Sequence, residues 1–316
     1  MFATVAALWG ASYLFIKVAL EDGVGPAAIV FGRVALAAAV LLPLAARLGA
    51  LEGIRGRVGP VALLALVQVV GPFTLITLGE RELSSSLTGI LVAGAPIFTF
   101  LLAFALTGAE RPTRLSLAGV GVGIAGVALL LGVDTGGGTA ALVGGLLVVT
   151  ATSGYAIGAW YLRRSFADAE PVGVLAGTMT VSAIVTLPFA LLDLPERVPD
   201  ADALASIVAL GALGTGLAFL CFYSLVRREG PARASLVAYV APAFSVAYGV
   251  TLLGESFTLA TAAGLMLIIV GSWLAAEGRL PWRPRERLAA SEAPGSAAPD
   301  PGRSAGPLAV GPAGRR

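Results

Sequence analysis

Ten runs of apolar residues, each about 18–25 residues long and bounded by Gly, Pro or charge, fill the chain from residue 2 to residue 276. A hydrocarbon layer about 30 Å thick needs about 20 helical residues to cross it. The runs fall at 2–20, 26–46, 58–79, 84–107, 115–133, 141–162, 171–192, 203–225, 234–253 and 257–276. Of the 316 residues only 13% are charged and 57% are hydrophobic, against about 25% charged in a soluble domain. Too little polar surface remains to face water, so the expected fold is an all-α integral membrane protein with ten transmembrane helices. The first run starts at Phe2 with no basic stretch before it and continues to Leu20, so it reads as a span rather than a cleaved leader.

The residue inventory removes most membrane chemistry. There is no histidine, and the one cysteine, Cys221, lies inside an apolar run. A disulfide within the chain, a Cys-rich zinc or iron–sulfur site and bis-histidine haem ligation are therefore impossible. A Ser–His dyad and an HExxH metallosite are excluded as well. No enzyme activity, metal, cofactor or nucleic-acid partner is expected.

Orientation follows from Lys and Arg. With the N-terminus in the cytoplasm, the inner loops and the tail hold seventeen basic residues, and the outer side holds three, Lys17, Arg81 and Arg197. That asymmetry is a strong positive-inside signal and places both termini in the cytoplasm of a multi-pass cell membrane protein. Residues 278–316, rich in Pro, Gly, Ala and Arg without helical period, read as a disordered cytoplasmic tail. Its basic cluster reads as a stop-transfer flank or a contact with anionic lipid.

The second half of the chain repeats the first. At a shift of 145, Pro26 falls on Pro171 and Leu42–Pro43 on Leu187–Pro188; at 146, Phe73 meets Phe219, Pro96 meets Pro242, Phe98 meets Phe244 and Gly108 meets Gly254. At 145 again, Glu110 meets Glu255, Thr113 meets Thr258, Gly119 meets Gly264 and Gly126 meets Gly271. The division is 1–135 for spans one to five and 141–277 for spans six to ten. Five being odd, the second copy enters the membrane from the opposite side. Two such halves rocking about a midplane site form an alternating-access transporter.

The stretches "LWGASYLFIK" (8–17), "FGRVALAA" (31–38), "LVAGAPIFTFLLAFALTGAE" (91–110) and "SLVAYVAPAFSVAYGVTLLGE" (235–255) resemble the EamA domain of the drug/metabolite transporter superfamily, present twice. The resemblance covers roughly residues 2–277. It implies a ten-helix bundle with a central cavity that exports small metabolites such as amino acids. Span six reads "TATSGYAIGAWYLRR", with Tyr155 where such proteins often carry a tryptophan before the alanine; an aromatic wall is kept.

Within "VFGRVALAAAVLLPL" (30–44) the one side chain unfit for oil is Arg33, which stays charged at physiological pH. It lies about 10 Å inside the outer end of its helix. Either its stem snorkels to the outer headgroups, or it faces the bundle interior and awaits an anion. All 19 carboxylates fall in loops, helix ends or the tail, leaving no intramembrane acid to pair with it. A substrate carboxylate or phosphate would satisfy the guanidinium bidentately. The same lack of acids argues against a proton-driven pump for cationic drugs. Thr178 is the repeat partner of Arg33, so the cavity is expected to be more positive on its outer side.

Further substrate-binding candidates are Trp9, Ser12, Gln68, Thr74, Ser153, Tyr155, Tyr223 and Tyr239. The rival role for the hydroxyls is a bond to their own helix, and for Trp9 a place in the interfacial belt. Gln68 must satisfy four hydrogen bonds. Pro43, Pro96, Pro188 and Pro242 read as gating or packing kinks. Gly119, Gly123, Gly264 and Gly271 mark close helix packing in spans five and ten, or the face of a homodimer. The expected activity is export of a small polar metabolite, an amino acid or related anion, across the bilayer. Multidrug export is the runner-up, and a non-transporting assembly protein or a membrane-embedded lipid-modifying enzyme are rivals of other classes.

Overall fold

The computed structural model describes residues 1–107, 113–134 and 138–275. The expected tail (278–316), Gly108 and Glu110 lie outside the described residues. The described residues are mostly helical, with no strand among them. Helices α1 (Phe2–Glu21), α2 (Pro26–Arg47), α3 (Val58–Glu80), α5 (Arg114–Leu129), α6 (Thr139–Ser165), α7 (Pro171–Leu192) and α8 (Ala201–Glu229) correspond to the apolar runs. The fourth run forms two segments, Ser85–Val92 and Ala95–Thr107, together called α4; α9 is Val237–Leu252 and α10 is Leu259–Ala275. Eight stretches are long and apolar enough to cross a membrane, while α9 and α10 are shorter apolar helices. Leu63, Leu101, Leu117, Ile124, Leu146, Ile184 and Phe189 stand exposed, a surface suited to lipid rather than water.

Local chemistry sets the boundaries. Pro26 and Pro171 open α2 and α7, where the missing N–H costs nothing and φ is already helical. Gly49 closes α2 at φ +66°, with the Ala50 amide donating back to the Ala45 carbonyl, a left-handed stop that favours glycine.

Three of the four prolines kept as kinks lie inside helices: Pro43 and Pro188 on exposed faces of α2 and α7, and Pro242 buried in α9. Pro96 differs. The chain turns at Ala93–Gly94 and Pro96 stands in the first turn of the following segment. It starts a helix rather than bending one, because its absent donor is harmless there.

The helices pair in a pattern that survives exchange of the two halves. α1 packs on α9 and on α8, and correspondingly α6 packs on α4 and on α3; α2 packs on α7, and α5 on α10. The core between α2 and α7 is aliphatic: Val30, Val34, Ala37, Leu41 and Ala45 against Leu175, Ala176 and Met179. π-helical turns interrupt α3 at Leu66–Val70 and α8 at Ala209–Leu217. Thr113 and Thr258 cap α5 and α10 in the same way, accepting from the amides of Ser116 and Thr261. Ion pairs join loops across the halves at both ends: Arg57 with Asp168 (2.5 Å) and Arg197 with Asp22. Arg57 holds the Asp168 carboxyl below its ordinary value.

One interlocking contact yields a direct prediction. The Glu255 carboxylate, from the connection between α9 and α10, accepts from the Ser85 amide at 2.6 Å and the Ser86 amide at 2.9 Å, capping α4. Glu255→Ala removes both acceptors and should destabilise the protein by about 1–3 kcal/mol, read as a lower midpoint of thermal unfolding in detergent.

Candidate functional site

Arg33 is 7% exposed and turned into the bundle. Its guanidinium carbon lies 3.6 Å from the centroid of the Phe73 ring on α3, a cation–π contact. Its Nε donates to Thr215 Oγ1 on α8 at 2.8 Å. One half of the chain thus supplies the arginine and the ring beneath it, and the other supplies the hydroxyl. The snorkelling alternative is not what this geometry displays.

The two π turns build this arrangement. In α8 the wider turn brings Thr215 Oγ1 onto the carbonyl five residues back, that of Leu210, at 2.9 Å. The hydroxyl donates there and keeps a lone pair for Arg33. Gly211 allows the approach: a Cβ there would stand 2.9 Å from the Arg33 carbonyl oxygen and 2.6 Å from Leu36 Cβ. In α3 the π turn ends just before Gly71 and Phe73. π turns recur at functional sites because they rotate a few side chains without ending the helix.

Nε is the one guanidinium nitrogen with a hydrogen-bonded acceptor among the described residues. A guanidinium has five N–H donors, so both terminal nitrogens retain capacity for an incoming oxyanion. No carboxylate forms an ion pair with it among the described residues. The groups that feel its charge are Tyr13, Tyr155 and Glu80.

Glu80 corrects the inventory of acids. It closes α3, a position that in sequence is a helix-end charge, yet its side chain is 0% exposed. Neither carboxylate oxygen has a hydrogen-bond partner. The argument against a cationic substrate from missing intramembrane acids therefore loses its premise. The register of α3 carries the signal: Phe73, Thr77 and Glu80 are four and seven residues apart and share the buried face. Thr215 and Tyr13, absent from the sequence candidates, carry only the signal of a lone hydroxyl among glycines and one aromatic among many.

The remaining sequence candidates divide. Tyr155 stands between the α2–α7 core and the α1–α8 core, beside Arg33. Trp9 lies in an aromatic group on α1 and α8, 5.7 Å from Phe219 and 5.0 Å from Phe222; Tyr223 joins it 6.3 Å from Phe219. Trp9 is thus half-buried among aromatic side chains of α8. Gln68 rests against Gly158 on α6. Thr74 and Tyr239 are half-buried. Ser12, Ser153 and Thr178 donate to their own helices, at the carbonyls of Leu8, Thr150 and Val174, which accounts for their hydroxyls without a ligand. A cavity of about 320 Å³ opens elsewhere, lined by Glu82, Ser84, Ser86, Glu255 and Ser256, and no residue around Arg33 lines it. Gly119 and Gly123 of α5 face Gly271 of α10 within one chain, and Gly264 faces Leu130; these glycines serve an internal contact rather than an open face.

Comparison with known proteins follows this architecture. The profile of the EamA-like transporter family matches residues 1–132 and again 142–276. The inner membrane transporter YedA of Escherichia coli K12, itself uncharacterized, is 28% identical over 258 residues, covering 79% of this chain and 81% of that protein. A protein of Salmonella typhimurium named as a probable amino-acid metabolite efflux pump is 24% identical, with 85% and 91% covered. A solved crystal structure superposes with a TM-score of 0.64 at 22% identity over 87% of this chain and 95% of that one, and so shares the fold. With the family's domain matched once in each half of a multi-pass helical bundle, the chain belongs to the EamA-like transporter family and is a membrane transporter.

Proposed function

We propose that the protein exports small polar metabolites, amino acids or related anions, by alternating access of two inverted five-helix repeats, residues 1–135 and 141–277, about a central site at Arg33. Both termini lie in the cytoplasm, as the seventeen-to-three division of basic residues favours. Support for the inversion comes from paired features: matching helix contacts, matching threonine caps, and π turns in both α3 and α8.

One observation carries the choice of substrate. Arg33 is a buried, permanent cation with a single hydrogen-bonded acceptor. A buried charge is costly unless paired, and a carboxylate arriving with the substrate supplies two parallel charge-assisted bonds. The Salmonella relative's name, an amino-acid metabolite pump, points the same way. Glu80 favours a second reading, export of cationic drugs, since a buried carboxylate is the usual counter-ion for such cargo.

Uptake into proteoliposomes of a labelled panel of amino acids, hydroxy acids and cationic dyes separates the two. Accumulation of carboxylate-bearing solutes, inhibited by other carboxylates and indifferent to the dyes, is expected. Transport of the dyes alone would replace this reading with multidrug export.

A further inference from the structure

Glu80 holds a position that the substrate reading does not use. Its side chain is fully buried and both oxygens stand without a hydrogen-bond donor. Lys17 on α1 lies close enough for its charge to act on Glu80 but makes no ion pair or hydrogen bond with the carboxylate. The Lys17 ammonium donates to the main-chain carbonyls of Glu80 at 3.2 Å and Leu83 at 2.9 Å, not to the carboxylate. No ion pair to Glu80 forms among the described residues.

An ionised carboxylate so placed lacks both water and donors, at a cost of several kcal/mol. A proton on one oxygen removes that cost, and opening of the bundle to water removes it by hydration. The same group is therefore comfortable protonated when enclosed and ionised when wet. That alternation is what a proton carrier in an alternating-access protein requires.

Glu80 is also placed to sense the substrate site. It lies on the same face of α3 as Phe73, two turns or about 10 Å along the axis, and Phe73 carries Arg33. The charged and titratable groups facing it are Lys17 and Tyr13 from α1, Arg33 from α2 and Glu255 from the α9–α10 connection. Its repeat counterpart at the shift of 146 is Val226, so the molecule carries this acid in one half only.

We propose that Glu80 is a proton-binding site that couples transport to proton movement: the Oε–H bond forms from water on one side of the membrane and breaks to water on the other. The inference builds on the alternating-access reading but not on the identity of the substrate.

The test uses the full chain in lipid and dicyclohexylcarbodiimide, which modifies protonated carboxyls in apolar surroundings. Mass spectrometry should locate the adduct on Glu80, with labelling falling about tenfold per pH unit once the group ionises. Absence of an adduct there, or labelling indifferent to pH, overturns the proposal. A second arm loads proteoliposomes with mixed L-amino acids and the pH dye pyranine. Proton entry that accompanies amino-acid exit in the wild type should vanish in Glu80→Gln, and the pH profile of transport should flatten. Unchanged proton entry in that variant also overturns it. If the wild type moves no amino acid, the substrate reading fails while labelling alone still decides for or against the proton site.

Discussion

Arg33→Met loses transport by roughly 10–150-fold in apparent affinity while the protein folds as well as before, or better. The loss is at least that of one of the two charge-assisted bonds to a substrate anion, about 1.5–3 kcal/mol, converted at 1.4 kcal/mol per tenfold. The stability expectation has the opposite sign. Methionine keeps the apolar stem over Phe73 and removes a buried cation whose terminal nitrogens have no protein acceptor among the described residues. Replacing buried ionic groups with apolar ones of similar size is often neutral or stabilising. A residue serving only the fold would show the reverse pattern. Transport in proteoliposomes and thermal unfolding of the same preparation give both readouts. Arg33→Lys retains the charge but not the planar fork, so it should recover part of the lost affinity. Wild-type transport by Arg33→Met would leave the arginine a packing element and end the proposed site.

Gly271→Ala separates α5 from α10. A Cβ at position 271 would stand 2.4 Å from the Gly123 nitrogen, 2.6 Å from Gly123 Cα and 2.7 Å from the Gly119 carbonyl oxygen. All three are main-chain atoms, so no rotamer change relieves the clash and the helices must move apart. Overpacking of this kind costs about 1–3 kcal/mol, and the backbone nature of the contact places it at the upper end. The thermal midpoint should fall by several degrees. Gly121→Ala is the control: nothing lies within 4 Å of a Cβ there, and alanine is the better helix former by about 0.5–1 kcal/mol. Equal midpoints for the two variants would mean that α5 and α10 do not meet through these glycines.

The two experiments mark different depths of legibility. Helix existence was readable because crossing a bilayer demands length and apolarity together, and both are properties of a contiguous stretch. Gly119, Gly123 and Gly271 were recognisable as small residues on one helical face, but not their destination. A small-residue face suits any close partner, and only the assembled bundle turns α5 toward α10. Pro96 looked like a mid-span kink because the turn at Ala93–Gly94 is invisible in an unbroken apolar run.

Arg33 was legible by itself, since a permanent charge inside an apolar run demands an explanation. Its surroundings were not. Thr215 meets it through a π turn and a glycine contact with the opposite half of the chain, neither encoded near position 33. Glu80 is the sharpest case. Beside Arg81, at the end of a run, it counts as a loop charge. Whether a helix-end side chain turns into water or under its neighbours depends on α1 and α2, which lie more than thirty positions away. Sequence determined the class of molecule, its repeated plan and one cation within an apolar run, because hydrophobic length and charge are local quantities. Tertiary structure decided what surrounds that cation and which acid is buried with it, because burial belongs to the arrangement of helices and not to any one of them.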